Sequence, residues 1–170
     1  DACVDGTGTN DQIIKDGFEC YVCVDGTMVS SASASCTDSS FPTFITNWDT
    51  SDVTDMKDIF QWKRTFNQPL NWDTSQVTTL QNTFYSALEF NQDISSWDVS
   101  SVTSFSAMFY KHQQININDR QKFNQDISSW DTSNAQFMSN MFYRNDNFNQ
   151  DISSWNTSSF INTYNMFAYS

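Results

Sequence analysis

The sequence predicts an α/β repeat solenoid, because one short phrase returns along the chain at a regular interval. The phrase Phe-Asn-Gln-Asp-Ile-Ser-Ser-Trp occurs at residues 90–97, 123–130 and 148–155. A returning phrase indicates a small unit stacked on copies of itself, since one unit cannot bury its apolar side alone. The interval can be counted between the tryptophans Trp48, Trp72, Trp97, Trp130 and Trp155. Successive tryptophans are 24 or 25 residues apart, except for one interval of 33.

The residues after each tryptophan predict a short helical segment. Apolar positions fall five, eight and twelve residues after it, and spacings of three and four place side chains on one helix face. The serine three residues after each tryptophan stands where a helix N-cap would lie. The twelfth position is always phenylalanine and predicts one aromatic column in the core: Phe60, Phe84, Phe109, Phe142 and Phe167.

The other half of each unit predicts a short strand. Asn91-Gln92-Asp93-Ile94-Ser95 has few good helix formers and places Gln92 and Ile94 on one side at a period of two. Strands of successive units are expected to pair in parallel, about 4.8 Å apart, opposite the helical wall. Pro69 lacks an N–H, so one ladder bond is expected to be missing there. Side-chain amide ladders are expected from the repeated asparagines and the glutamines after them: Asn67, Asn91, Asn124 and Asn149.

The repeat sequence resembles that of BspA-like leucine-rich-repeat surface proteins. The likeness is carried by Phe-Asn-Gln-Asp-Ile-Ser-Ser-Trp-Asp-Thr/Val-Ser and by Asn140-Met141-Phe142, and it covers residues 41–170. The resemblance implies a leucine-rich-repeat solenoid of an extracellular or cell-surface protein linked to adhesion and binding. It implies no activity, cofactor or substrate. An eight-residue insertion within residues 111–122 departs from the family pattern.

Two domains are predicted: a cysteine-rich N-terminal cap at residues 1–40 and the leucine-rich-repeat solenoid at residues 41–170. So short a cap cannot build an adequate core, and two disulfides are expected to staple it, which implies an oxidising compartment. A four-thiolate zinc site is the alternative, disfavoured because the cap has one Cys-x-x-Cys pair and no histidine. The cap loosely resembles an EGF-like module. Its cysteines, whose pairing stays open, are Cys3, Cys20, Cys23 and Cys36.

The acidic composition argues against nucleic-acid and anionic-membrane partners. The chain carries 20 acidic and 8 basic side chains, a net charge of −12, whereas both kinds of partner require basic patches. Aspartates recur at two fixed positions of the unit, where a solvated surface or hydrogen bonds to backbone N–H groups are the ordinary explanations. Structural calcium is the alternative, with candidate ligands Asp93, Asp98, Asp126, Asp131 and Asp151.

No enzyme active site is predicted. His112 is the only histidine and lies in the polar insertion, where exposure to solvent is expected. Serines and carboxylates recur in every unit, so none of them marks a single reaction centre, and no phosphate-binding glycine loop is present. Aromatic residues outside the predicted core form either partly buried rims or a ridge that contacts a partner: Trp62, Tyr85, Tyr110, Tyr143 and Tyr169.

The expected function is that of a non-enzymatic extracellular structural protein, a subunit of a cell-surface or secreted fibre assembled by head-to-tail stacking of repeat solenoids. The start at Asp1 is consistent with a removed signal peptide, and no apolar run of about 20 residues would span a bilayer. The repeats stop without a polar capping unit, which favours continuation into further repeats or self-association into a filament. The alternative is an adhesin-like module that binds a protein or glycan through its solenoid face or the 111–122 insertion. Asn156 begins the one N-glycosylation sequon.

Overall fold

A small antiparallel sheet lies in the N-terminal part of the chain. The computed structural model describes residues 13–16, 19–24, 27–31, 50–116 and 118–170. Strands β1 (Ile13–Asp16), β2 (Glu19–Val24) and β3 (Thr27–Ser31) pair in the order β1-β2-β3. The register sets Ile13 opposite Val22 and Cys20 opposite Ser31. The predicted cap therefore contains a three-stranded sheet within its described residues.

The described residues from Thr50 onward form a stack of five successive repeat units, which begin at Thr50, Thr74, Val99, Thr132 and Thr157. A single parallel bridge joins each unit to the next. The bridges pair Asp55 with Thr79, Thr79 with Ser104, Ser104 with Phe137 and Phe137 with Asn162. The units therefore lie one on another in parallel.

The predicted α/β solenoid is wrong, because the described residues from 50 onward contain neither a helix nor a strand longer than one bridge. In the segment predicted to be helical, the backbone N–H groups alternate between two kinds of acceptor. Those of Gln61 and Lys63 donate to carbonyls three residues earlier, whereas those of Phe60 and Trp62 donate to the next unit at 2.9 and 2.8 Å. An α-helix would send each N–H to the fourth residue before it. The segment is instead a run of tight turns bonded sideways, here named the turn wall: residues 55–62, 79–86, 104–111, 137–144 and 162–169.

Left-handed residues keep the turn wall from becoming a helix, and each unit except the third has two of them, four residues apart. Asp58 and Trp62 have φ values of 64° and 65°, and Asn82 and Ser86 both have 56°. One such residue interrupts a right-handed helix, and asparagine and aspartate tolerate the conformation best among residues with a Cβ. A backbone that repeats every four residues also brings side chains four apart to one side. This is why its apolar spacing resembles that of a helix.

The predicted strand at residues 91–95 is also wrong. Residues 91–94 have no regular secondary structure, and a turn follows, closed by the Trp97 N–H on the Ile94 carbonyl at 3.1 Å. No backbone ladder runs through the equivalent described segments. Pro69 therefore interrupts nothing, because the other units do not form the ladder bond that was expected to be missing there. Side chains join the units here instead. The Asn91 N–H and the Gln92 Nε2 both donate to the Asn67 Oδ1, at 2.9 and 3.0 Å, which confirms the predicted amide ladder.

Two interleaved columns of phenylalanine rings fill the core. The predicted column is confirmed, since its successive ring centroids lie 5.3–5.7 Å apart and nearly parallel. A second column, Phe66, Phe90, Phe123 and Phe148, has spacings of 5.8–6.2 Å. Rings of the two columns meet at 3.8–4.1 Å within each of the first four units. Burial of these rings is the main favourable term in stacking the units.

Candidate functional site

Every junction between units uses the same backbone hydrogen bonds. Alternate residues of the turn wall donate their N–H groups to carbonyls of the following unit. At the first junction the donors are Met56, Asp58, Phe60 and Trp62, at 2.8–3.2 Å, and the equivalent four donate at each later junction at 2.7–3.0 Å. Four alternate N–H groups of each internal turn wall therefore donate toward the unit after it, whereas the N–H groups of Phe137 and Asn162, at the start of two turn walls, donate back to the unit before.

The last unit presents the same row of donors without acceptors. The N–H groups of Thr163, Asn165, Phe167 and Tyr169 occupy the four donor positions, and none has an acceptor within the described ranges. Unpaired backbone donors are costly wherever water is excluded. Together with the segment 148–155 of the unit beneath, turn wall 162–169 forms the surface here named the end face.

The end face also exposes large apolar side chains. Phe167 is 46% exposed, whereas Phe84, Phe109 and Phe142 of the same column are fully buried. Tyr169 is 76% exposed. The end face is therefore an exposed apolar surface within the described residues.

Two further apolar residues of the last unit stand where the earlier units have polar ones. Ile161 and Tyr164 are 71% and 70% exposed. The residues equivalent to Ile161 are Thr54, Thr78, Thr103 and Gln136, and those equivalent to Tyr164 are Lys57, Gln81, Ser106 and Ser139. The internal units stack without apolar groups at these positions, so the change is particular to the last unit and widens its apolar surface.

The repeated carboxylates bond to their own turns and do not converge. The Oδ1 atoms of Asp93, Asp126 and Asp151 each accept the N–H of the serine two residues on, at 2.9 Å. These backbone hydrogen bonds hold the pKa of each carboxyl below its usual value, and the same holds for Asp131. No group of three acidic, histidine or cysteine side chains is close enough to hold a metal ion in the described part of the chain. Bonding of turn N–H groups is thus their visible role, and calcium at these aspartates and Asp98 stays a prediction.

A third column of rings lines the outer edge of the turn wall. Tyr85, Tyr110 and Tyr143 are half-buried and stack at 4.7 Å. Burial, with a smaller contribution from Tyr110, raises the pKa of Tyr85 to about 12. His112 is half-buried against Trp62 at 5.0 Å, so the expectation of a solvent-exposed histidine is wrong. Because the tyrosines cover one another's faces, this ridge offers a sugar ring few faces on which to stack.

Other predicted sites are only partly within the described residues. Asn156 is exposed, and its Oδ1 accepts the Ser158 N–H at 3.0 Å. The backbones of Cys20 and Cys23 lie in β2, whereas Cys3 and Cys36 lie outside the described residues. Glycosylation, the disulfides and the domain boundary at residue 40 stay predictions.

A family model described as "Mycoplasma protein of unknown function, DUF285" matches residues 27–121 and 117–170. The chain belongs to the DUF285 family. The resemblance to BspA-like leucine-rich-repeat proteins is therefore wrong, since the matching model is DUF285 and no leucine-rich-repeat or BspA model matched. No curated protein and no solved structure matches this DUF285 chain. Across the described residues, no helix is long and apolar enough to span a membrane.

The sequence did not predict the donor row, which depends on the turn-wall backbone. A signal for that backbone is present ten residues after each tryptophan. Four of the five residues there are asparagine or aspartate, although asparagine is a poor choice inside a helix and a good one for a left-handed turn. They are Asp58, Asn82, Ala107, Asn140 and Asn165.

Proposed function

We propose that this DUF285 protein is a non-enzymatic structural protein of the cell surface or extracellular space, a subunit of a fibre in which repeat stacks join head to tail. The observation that supports the proposal most is the end face. Its four N–H groups, which have no acceptor among the described residues, stand in the same positions as the donors of every internal junction. A further unit could therefore add there with the bonds that already hold the stack together.

The direction of the four alternate turn-wall bonds favours open-ended joining over a closed dimer. Two end faces brought together would set N–H rows against N–H rows, and each donor left unpaired costs about 1–3 kcal/mol. A contact between unlike faces leaves no such mismatch. When its rotation does not close a ring, a head-to-tail contact of this kind builds a filament.

The repetition of polar groups supports a role without catalysis. Each aspartate or serine at a repeated position has equivalents in neighbouring units with the same turn contacts. The His112 Nδ1 accepts the Gln114 N–H at 3.2 Å, and the ring packs on Trp62. These contacts are those of a structural residue. The four cysteines within the first 36 residues support a location outside the cell.

Electron microscopy of the purified 170-residue chain tests the proposal. We expect fibres, and we expect Phe167→Asp to abolish them, because it sets a charge against the incoming unit at a side chain that is already 46% exposed. Ser96→Asp adds the same charge at an exposed position on the side of the stack and should leave fibres intact. A chain that stays monomeric at all concentrations, with both variants indistinguishable from it, would refute the proposal.

The second candidate function is an adhesin-like module that binds through the 111–122 insertion. One observation favours it: a cleft of about 380 Å³ beside the insertion, lined by Leu88, Glu89, Asn118, Asp119, Arg120, Lys122 and Asn147. Arg120 pairs with Asp146 at 3.1 Å at its edge. Binding to a glycan or protein array that is lost in Arg120→Ala, but kept in Phe167→Asp, would favour this function over the fibre.

A further inference from the structure

We infer that Tyr85, Tyr110 and Tyr143 form an oxidative cross-linking site, at which hydrogen peroxide and a haem peroxidase join neighbouring phenols through a carbon–carbon bond. The bond fastens one repeat unit to the next. The three tyrosines belong to the second, third and fourth units of the stack. The inference therefore depends neither on the end face nor on fibre formation.

The three rings lie one above another along the outer edge of the turn wall. The ring centroids of Tyr85 and Tyr110 are 4.7 Å apart, with 13° between the planes. Those of Tyr110 and Tyr143 are also 4.7 Å apart, with 10° between the planes. Successive rings in the two phenylalanine columns are 5.3–6.2 Å apart. Neighbouring units therefore bring their tyrosine rings closer together than the equivalent phenylalanine rings.

The backbone holds the tyrosines at this spacing. The Ser86 N–H donates to the Tyr110 carbonyl at 2.7 Å, and the Lys111 N–H donates to the Tyr143 carbonyl at 3.0 Å. Each bond joins the residue after one tyrosine to the next tyrosine itself, so the two backbones are fixed one layer apart. Because the rings are nearly parallel and start from equivalent backbone positions, matching ring carbons lie about as far apart as the centroids.

The hydroxyl ends of successive rings lie near each other. Burial, with a smaller contribution from Tyr110, raises the pKa of Tyr85 to about 12. Burial also raises the pKa of Tyr110, with a smaller contribution from Tyr143 that Arg144 partly offsets. The contribution of the neighbouring tyrosine is repulsion between phenolate charges, which weakens with distance. The carbons ortho to the hydroxyl groups are therefore in register along the column.

Stacking alone does not require the hydroxyl groups. Phenylalanine rings stack in the same near-parallel manner in both core columns. The hydroxyls of Tyr85 and Tyr110 make no hydrogen bond to another described residue. All three tyrosines are half-buried, so solvent and a small oxidant reach part of each side chain. The column thus presents phenols, in contact with each other, for chemistry that phenylalanine cannot undergo.

The coupling is balanced by the reduction of one molecule of peroxide. The peroxidase removes a hydrogen atom from the O–H group of each of two neighbouring phenols, and hydrogen peroxide is reduced to two molecules of water. The two phenoxyl radicals form a bond between ortho carbons as the rings tilt toward each other on the solvent side. The hydrogens of those carbons leave as protons, and the oxygens are protonated again. Each tyrosine has lost one hydrogen atom, and the product is dityrosine.

Oxidation of the purified 170-residue chain with a haem peroxidase and hydrogen peroxide tests the inference. Denaturing chromatography separates single chains from chains joined to one another. Digestion after lysine, arginine and glutamate places the three tyrosines on separate peptides, 65–89, 90–111 and 123–144. We expect the single chains to show dityrosine fluorescence, and mass spectrometry to find peptide 90–111 joined to one of the other two.

Tyr110→Phe keeps the ring stack but removes the phenol that both pairs share, so we expect it to abolish these cross-links. The matched control combines Tyr164→Phe with Tyr169→Phe. It removes two phenols that are 70% and 76% exposed and should leave the cross-links of the column unchanged. Urea unfolding before oxidation should give the same curve for both variants as for the unmodified chain.

Unfolding after oxidation shows whether the bond fastens the units. Cross-linked single chains should unfold at higher urea than untreated chains, because a bond between two units restricts the unfolded chain. An unchanged urea midpoint would overturn this part of the inference. Single chains without dityrosine, dityrosine confined to Tyr164 and Tyr169, or equal yields from Tyr110→Phe and the unmodified chain would overturn the cross-linking site itself.

Discussion

Replacing Phe109 by alanine should destabilise the stack more than any change at its end. Phe109 is fully buried and stacks on Phe84 at 5.6 Å, on Phe142 at 5.7 Å and on Phe123 at 3.8 Å. Removal of a buried phenylalanine side chain typically costs about 3–5 kcal/mol, because transfer energy is lost and a cavity remains. With rings on three sides to hold the cavity open, we expect about 4 kcal/mol for Phe109→Ala.

Phe167→Ala is the matched control within the same column. Phe167 is 46% exposed and has one neighbour in the column, Phe142. About half of the burial energy of a phenylalanine is at stake, and the open end face leaves no enclosed cavity, so we expect about 1 kcal/mol. The two variants therefore make the same chemical change and should differ about fourfold in cost.

Urea unfolding followed by tryptophan fluorescence measures both values. The slope of the unfolding free energy against urea should be alike in the two variants, since both unfold the same stack. Equal losses for Phe109→Ala and Phe167→Ala would refute the reasoning, because they would mean that the column does not form one continuous core.

Three other perturbations have defined outcomes. Asn124→Ala removes the acceptor of two ladder bonds and should lower the unfolding free energy by about 1–2 kcal/mol. Urea unfolding measures this loss, and an unchanged free energy would mean that water replaces the ladder. Ala107 has a φ of 54°, and Ala107→Asn introduces there the residue found at most equivalent positions. The change should raise the unfolding free energy by about 0.5–1 kcal/mol. A lower melting temperature would count against the left-handed assignment. Between the ordinary tyrosine pKa of 10.0 and the value of about 12 for Tyr85, the unfolded state loses its proton while the folded state keeps it. The unfolding free energy should therefore fall as pH rises through this window. Phenolate absorbance follows the titration, and unfolding curves at each pH should show a smaller fall for Tyr85→Phe than for the unmodified chain.

The stability of the folded chain should also depend on pH in the acid range. The lowered pKa values of Asp93, Asp126, Asp131 and Asp151 mean that the folded chain holds these protons more weakly than the unfolded chain. Their contribution to stability is present above the ordinary aspartate pKa of 3.8 and is lost as pH falls below it. Thermal unfolding at stepped pH should show this decline, which a flat profile would contradict.

The sequence predicted which residues meet but not the backbone that carries them. The phenylalanine column and the amide ladder depend only on units stacking in register, and identical residues at identical positions are enough to predict that. Helix and turn wall both bring side chains four residues apart to one side, so apolar spacing could not distinguish them. The left-handed asparagines, such as Asn82 and Asn140, were the distinguishing signal. The donor row of the end face could not be predicted, because it follows from hydrogen bonds that alternate along the turn wall.

The insertion at residues 111–122 leaves the core spacing unchanged. Phe109 lies 5.6 Å from the ring before it and 5.7 Å from the ring after it, although its unit is eight residues longer than the next. Extra sequence at this edge is thus carried outside the packed columns. The scaffold can accordingly vary the length and chemistry of one loop per layer while keeping its rise, which suits it to displaying grafted peptides at evenly spaced heights.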